Sequence, residues 1–134
     1  MGIQKQDLRI GNWIFDAGDE QKNFQIEQIC KDSDGFSGYY VVFRNGSFKS
    51  SIDSDLIEPI PLTPEILEKC GFDYDASYEV PKVQKGNFIL WDGFDGSFSA
   101  NFGGLTRLDV YVKYLHQLQN LYFALTGEEL EVKL

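Results

Sequence analysis

Short runs of alternating apolar and polar residues fill the first half of the chain, as expected for β-strands with one buried face. In residues 24–30, the side chains that can face a core are Phe24, Ile26 and Ile29. A shift of phase near Gln28 indicates a bulge in this strand. Residues 8–16 form a similar run, interrupted by a Gly-Asn bend.

The dipeptide Asn45-Gly46 is the strongest hairpin signal, because both residues tolerate the left-handed backbone of a two-residue turn. It lies between two strand-like segments, residues 39–44 and 47–52. Polar turn residues precede and follow this hairpin. Several short strands joined by tight turns predict a small, curled antiparallel sheet that is SH3-like, over residues 1–62.

A short helix is predicted directly after this sheet. Thr63-Pro64-Glu65 combines a hydroxyl cap, a proline in the first turn and an acid near the positive end of the helix dipole. Ile66, Leu67 and Cys70 form the expected buried side, and Gly71 ends the helix. Because so short a helix is unstable alone, packing must hold it in place.

The second half of the chain predicts an antiparallel β-meander. Residues 87–92 and 97–102 are the arms of a hairpin around the turn Gly93-Phe94-Asp95-Gly96. The preceding segment, residues 72–86, is polar and aromatic. In that segment we expect a single strand, near residues 78–80.

A helix with a broad apolar face is predicted near the end of the chain, within residues 112–130. The apolar residues recur at alternating spacings of four and three: Tyr111, Leu115, Leu118, Tyr122 and Leu125. Tyr114 and Leu121 widen this face, which suits packing on a sheet. The amide side chains are expected on the solvated side: Gln117, Gln119 and Asn120. Gly127 can take the left-handed conformation that ends a helix.

Residues 107–112 fit two different structures. Leu108 continues the spacing of the helix, but it also alternates with Val110 and Val112 as in a strand. We favour the strand, because Val-Tyr-Val has a high strand propensity. Residues 130–134 alternate too, as in a short edge strand or a tail.

Together these elements predict an α+β fold with a β-meander covered by the C-terminal helix. We expect one subdomain in residues 1–62 and another in residues 63–134, packed as one compact unit. The chain has 134 residues, of which 43% are apolar, so it can bury a core and is too hydrophobic to be disordered.

The acidic balance of the chain narrows the choice of partners. Its 21 acidic and 12 basic residues give a formal net charge of −9, which repels nucleic-acid phosphates and anionic lipids. We therefore expect neither direct nucleic-acid binding nor membrane binding. The two cysteines, the absence of an apolar signal-peptide segment and the absence of a membrane-length apolar run predict a cytoplasmic protein.

Three segments of the sequence resemble a known group of proteins: LRIGN (residues 8–12), IEPIPLTPEILEKCGF (residues 57–72) and KYLHQLQNLYFALTGEEL (residues 113–130). They are similar, in the same order, to a family of small proteins without an assigned activity from gut-bacterial genomes, prophages and mobile elements. The resemblance implies a bacterial cytoplasmic or phage setting. It implies no catalytic residues.

Candidate catalytic and metal-binding groups are few. His116 is the single histidine, and a dyad with Cys30 or Cys70 would require the partners to meet in space, with no nucleophile motif around either cysteine. Four aspartate pairs invite a calcium or magnesium interpretation: Asp32/Asp34, Asp53/Asp55, Asp73/Asp75 and Asp92/Asp95. Aspartate and glycine also favour ordinary turns, which we prefer here. We expect no catalytic, cofactor or metal site, and an enzymatic role stays open but disfavoured.

Aromatic residues edged by acids are the remaining functional signal. The candidate partner-binding residues are Trp13, Tyr39, Trp91, Phe94 and His116, with His116 expected to be half exposed. Such side chains either complete a core or form a protein-binding surface. We favour a non-enzymatic module that binds a protein partner, with homodimerisation through a sheet edge as a further mode. The alternatives are an inhibitor that mimics nucleic acid and a small hydrolase using cysteine or carboxylate chemistry.

Overall fold

A computed structural model of the chain describes residues 8–17, 22–31, 39–43, 48–51, 57–75, 77, 82–102 and 111–134. The chain forms two compact units, Met1–Ile60 and Pro61–Leu134. Each unit contains antiparallel sheet, and the second also contains the two helices. The predicted α+β class is therefore confirmed.

The first unit contains two three-stranded antiparallel sheets. Its strands are β1 (Trp13–Asp16), β2 (Lys22–Gln25), β3 (Gln28–Lys31), β4 (Tyr39–Phe43), β5 (Phe48–Ser51) and β6 (Ile57–Glu58). One sheet has the order β2-β1-β6, and the other has the order β3-β4-β5. The predicted hairpin of β4 and β5 is present, while its turn at Asn45-Gly46 lies outside the described residues.

The predicted strand of residues 24–30 is divided between these two sheets. Ile26 donates its backbone N–H to Asn12 O at 2.9 Å, and the next residue, Glu27, donates to Val42 O at 2.8 Å. The backbone partner therefore changes from the first sheet to the second between Ile26 and Glu27. The irregularity that the sequence pattern placed near Gln28 is this change of sheet.

The first unit is built around an apolar cluster of Leu8, Ile14, Ile26 and Ile57. Phe24 and Ile29 pack against it, as their alternation predicts. Gly11, with φ of 93°, makes the predicted Gly-Asn bend and donates its N–H to Ile26 O at 2.9 Å. The bend thus brings the segment before β1 onto the core.

The second unit contains a five-stranded antiparallel sheet and two helices. Its elements are α1 (Pro64–Lys69), β7 (Asp73–Asp75), β8 (Lys82–Lys85), β9 (Phe88–Asp92), β10 (Phe98–Phe102), β11 (Tyr111–Val112) and α2 (Leu115–Thr126). The strands follow one another across the sheet in the order β11-β10-β9-β8-β7, which is a meander. One side of the sheet is buried through Val83, Phe88, Leu90, Phe98, Ala100 and Val112.

The described part of residues 72–86 holds two strands, β7 and β8, so the expectation of a single strand there is wrong. Tyr74 in β7 lies opposite Val83 in β8, and the predicted position at residues 78–80 lies outside the described residues. The C-terminal residues form a tail rather than an edge strand. Lys133 donates its N–H to Lys69 O at 3.0 Å, which fastens the tail to the end of α1.

The start of α1 and the C-terminal ends of both helices are as their sequences predict. Thr63 Oγ1 accepts a hydrogen bond from Ile66 N at 3.2 Å at the start of α1, and Gly71 follows its end with φ of 86°. Gly127 terminates α2 in the left-handed conformation and donates its N–H to Phe123 O at 2.8 Å. No helix in the described ranges is long and apolar enough to cross a lipid bilayer.

Helix α2 contacts the buried side of the sheet through an aromatic cluster. The ring of Phe88 in β9 lies 5.6 Å from that of Tyr122 and 5.9 Å from that of Phe72, measured between centroids. Lys85 Nζ lies 5.4 Å from the centre of the Tyr122 ring and donates to Cys70 O at 2.9 Å. One lysine thus joins α2, β8 and the end of α1 within this unit.

Candidate interaction surface

Side-chain hydrogen bonds stabilise the turn between β9 and β10. Gly93 N donates to Ser97 O at 2.9 Å and closes the turn. Asp92 Oδ1 accepts a hydrogen bond from Phe94 N at 2.8 Å, and Asp95 Oδ1 accepts one from Ser97 N at 3.0 Å. These aspartates act as turn residues, as their sequence context predicts.

Phe94 is presented at the tip of this turn in an unfavourable backbone conformation. It has φ of 65°, a left-handed value that side chains with a Cβ rarely adopt. Its side chain is 70% exposed. Such a conformation costs on the order of 1–3 kcal/mol, and no burial of the ring offsets it. An exposed aromatic residue with a strained backbone, on a turn held by hydrogen bonds, is a candidate residue for contact with a partner.

Two further aromatic residues lie at the same end of the sheet. Trp91 and Tyr111 are both register partners of Ser99, the second residue of β10, so the three share one side of the sheet. Tyr111 is 65% exposed, and Trp91 is half-buried. We call the group of Trp91, Phe94, Asp95 and Tyr111 the hairpin surface.

The side chain of Trp91 makes contacts with other residues of the chain. Lys82 Nζ lies 5.9 Å from the centre of its ring, a cation–π contact across the β8–β9 pair. When the Asn101 amide is oriented to match its surroundings, its oxygen accepts a hydrogen bond from Trp91 Nε1 at 3.2 Å. Phe94 and Tyr111 are therefore the more accessible aromatic groups.

The hairpin surface carries negative charge at its tip. The hydrogen bond from the Ser97 side chain, followed by that from the Ser97 backbone, lowers the pKa of Asp95, and the charge of Lys113 lowers it further. Asp75, opposite Lys82 in the register of β7 and β8, also has a lowered pKa, mainly because of hydrogen bonds from Ser77. Both side chains are therefore carboxylates at neutral pH.

The predicted contact residues fall in different places. Trp13 is half-buried in β1, and Tyr39 lies in β4 with its side chain outside the described set, so these two belong to the first unit. Trp91 and Phe94 both lie at the turn end of the β9–β10 hairpin in the second unit. The remaining candidate, His116, lies in α2.

The expectation of a half-exposed His116 is wrong, because its side chain is only 2% exposed. Its ring stacks on Tyr114, with centroids 6.1 Å apart. Gln119, expected on the solvated side, is also 2% exposed. Gln117 caps the helix instead, since its Oε1 accepts hydrogen bonds from the backbone N–H groups of Lys113 and Tyr114 at 3.0 and 3.1 Å.

Tyr111 is a surface residue that the sequence interpretation missed. Counting it in the apolar face of the helix placed it inside, whereas it lies in β11 and faces away from the buried Val112. The strand favoured for residues 107–112 contained the correct signal: its last two residues form β11, while residues 107–110 lie outside the described residues. In a strand, neighbours such as Tyr111 and Val112 must point to opposite sides.

The surroundings of Cys70 do not favour a role for its thiol as a nucleophile. Its side chain is buried, and this burial raises the pKa of its thiol to about 11, with Lys85 acting weakly in the opposite direction. A buried, protonated thiol is a poor nucleophile. A cavity of about 170 Å³ lies nearby, lined by Glu68, Cys70, Gly71, Lys85, Glu131 and Lys133. Within the described ranges, no three potential metal-ligating side chains are grouped to hold an ion.

The aspartates of the described pairs make hydrogen bonds that are typical of turns. Asp92 and Asp95 bind groups within their own turn, and Asp75 Oδ1 accepts from Ser77 N at 2.9 Å. The pairs Asp32/Asp34 and Asp53/Asp55 lie outside the described residues. Comparison of the chain with protein-family models, curated proteins and solved structures finds no match.

Proposed function

We propose that the protein is a non-enzymatic interaction module that binds a protein partner through the hairpin surface. The observation that carries this proposal is Phe94, an aromatic side chain that is 70% exposed at a strained tip position. Tyr111 and the carboxylate of Asp95 extend the same surface. Aromatic groups with a polar rim are typical of protein-binding sites.

The proposed setting is the cytoplasm of a bacterium or of a phage-infected cell, in keeping with the resemblance of three sequence segments to proteins of gut bacteria and prophages. We further propose that the first unit is an SH3-like curled sheet. This proposal is supported by its two antiparallel sheets, the change of sheet at Ile26–Glu27 and the apolar cluster of Leu8, Ile14, Ile26 and Ile57. The β-meander and α2 then present the binding surface.

Capture of a partner from a lysate of a native bacterial host tests this function. The tagged protein would be incubated with nuclease-treated lysate, and bound proteins identified by mass spectrometry. Tyr111→Ser removes an exposed ring from the hairpin surface. Phe123→Ser is the matched control, because Phe123 is 42% exposed on α2, outside that surface.

We expect one dominant protein to bind the wild type and the Phe123→Ser variant, and to be lost from Tyr111→Ser. The variants should give the same circular dichroism spectrum as the wild type. Equal capture by Tyr111→Ser, or no capture by the wild type, would reject the hairpin surface as the binding site. A basic nucleic-acid enzyme as the captured protein would instead favour the nucleic-acid mimic.

A further inference from the structure

We propose that the hairpin surface binds an arginine side chain of the partner, with its guanidinium group against the exposed Phe94 ring and paired with the Asp95 carboxylate. This inference rests on the proposed function and names the chemistry of the partner. Charge complementarity and a similar contact elsewhere on the same sheet support the binding of arginine.

The similar contact joins Lys82 to Trp91 within the chain. Lys82 Nζ lies 5.9 Å from the centre of the Trp91 ring, and Asp75 is the register partner of Lys82 on its other side. A cation is thus held between an aromatic ring and an acidic residue. This arrangement is favourable because the face of an aromatic ring is electron-rich and attracts a positive charge.

The tip of the hairpin offers a ring and an acid, Phe94 and Asp95, that are accessible to an external cation. Phe94 and Tyr111 are 70% and 65% exposed. The hydrogen bonds that Asp95 accepts from Ser97 both use Oδ1, and a carboxylate has a second oxygen that can accept from a partner. Lys113 is the nearby basic residue of the chain, and its charge acts on Asp95.

Guanidinium suits this site better than an ammonium group. It is planar, so it can stack on a ring, and its several N–H donors can bind a carboxylate at the same time. It is also less strongly hydrated than the lysine ammonium, which lowers the cost of bringing it against an apolar ring. Lysine would gain the charge interaction but lose the stacking.

Selection from a phage-displayed library of random peptides tests the inference directly. The full chain would be immobilised as bait, and peptides that also bind the Phe94→Gly variant would be removed. Glycine is chosen because it adopts positive φ without strain, so the turn should be retained. An unchanged circular dichroism spectrum and thermal midpoint would confirm that the variant is folded.

We expect arginine to be enriched in the selected peptides. Replacing that arginine with lysine or citrulline in a synthetic peptide should weaken binding to the wild type by about tenfold. Asp95→Asn should weaken it similarly, because asparagine keeps the Oδ1 acceptor of the turn but removes the charge. The Phe123→Ser control should bind like the wild type.

Selected peptides without arginine, equal affinity for the lysine peptide, or no peptide that depends on Phe94 would overturn the inference. These results are distinct from failure of the proposed function. If a partner from lysate still depended on Tyr111 while the peptides lacked arginine, the surface would stand and only its partner chemistry would be wrong. No Tyr111-dependent partner would reject both.

Discussion

The two cysteines differ in their surroundings, and this difference can be measured. Cys70 is fully buried, with the pKa of its thiol raised to about 11 by burial, whereas Cys30 is half-buried in β3. In mildly alkaline buffer, a thiol reagent should therefore modify Cys30 in the native protein and Cys70 only after unfolding. Peptide mapping identifies the modified residue.

Cys30→Ser and Cys70→Ser give the matched controls for this experiment. The Cys30→Ser variant should show almost no labelling until urea unfolds it, while Cys70→Ser should label at the wild-type rate. Rapid labelling of Cys70 in the folded Cys30→Ser protein would contradict its burial. It would also reopen the hydrolase alternative.

The lowered pKa values of Asp75 and Asp95 predict a loss of stability in acid. Because each pKa is lower in the folded chain than in the unfolded chain, each carboxylate stabilises the fold above about pH 4. That contribution is lost as the pH falls through the lowered pKa. Urea unfolding at neutral and acidic pH measures the effect.

A double variant, Asp75→Asn with Asp95→Asn, should lose less stability on acidification than the wild type. Glu58→Gln, at an exposed position of β6, is the control and should follow the wild type. Equal acid sensitivity of the double variant and the wild type would contradict the assigned role of the Ser77 and Ser97 hydrogen bonds. The quantity compared is the change in unfolding free energy between neutral and acidic pH. The acids that both proteins share contribute equally to this change.

At the level of elements, α1 depends on its cap because it has only six residues. Thr63→Ala removes the acceptor of the 3.2 Å hydrogen bond from Ile66 N. It should lower the free energy of unfolding by about 1 kcal/mol, measured by urea denaturation. Thr63→Ser keeps the hydroxyl and should lose much less. Equal losses in both variants would mean that the cap does not stabilise the helix.

The strand pair β7–β8 shows where prediction of elements fails. Asp73-Tyr74-Asp75 is short and rich in aspartate, which is depleted in strands. It becomes a strand because Tyr74 pairs with Val83 across the segment between them. That pairing energy belongs to two segments together, so neither segment reveals it alone. The β9–β10 hairpin was predictable because its own alternation and turn residues suffice.

For the whole molecule, the sequence interpretation expects the two units to unfold as one body. Each unit contains one tryptophan, Trp13 in the first and Trp91 in the second. The Trp13→Phe and Trp91→Phe variants would each leave a fluorescent reporter in a single unit. We expect the fluorescence and far-ultraviolet circular dichroism transitions in urea to coincide in each variant.

Separate fluorescence and circular dichroism midpoints in either variant would contradict cooperative unfolding. Comparing the two signals within one variant removes the effect of the substitution on stability. A second transition seen only in the Trp13→Phe variant, whose fluorescence comes from Trp91, would show that the α+β unit unfolds by itself. The partner-binding experiments would then be repeated with Pro61–Leu134 alone.

The sequence alone determined the features that depend on neighbours along the chain. The cap at Thr63, the end of α2 at Gly127, the hairpin turn at Phe94 and the inward alternation of Phe24 and Ile26 follow from local backbone preferences and side-chain period. The α+β class follows from the sum of such elements.

Only the tertiary structure decided which side chains are covered by residues distant in sequence. It buried His116 and Gln119, exposed Tyr111, and divided residues 24–30 between two sheets. A local pattern gives the direction of a side chain relative to its neighbours, but burial also depends on what packs from elsewhere. For the same reason, only strand register shows that Trp91 and Tyr111 lie on the same side of the sheet.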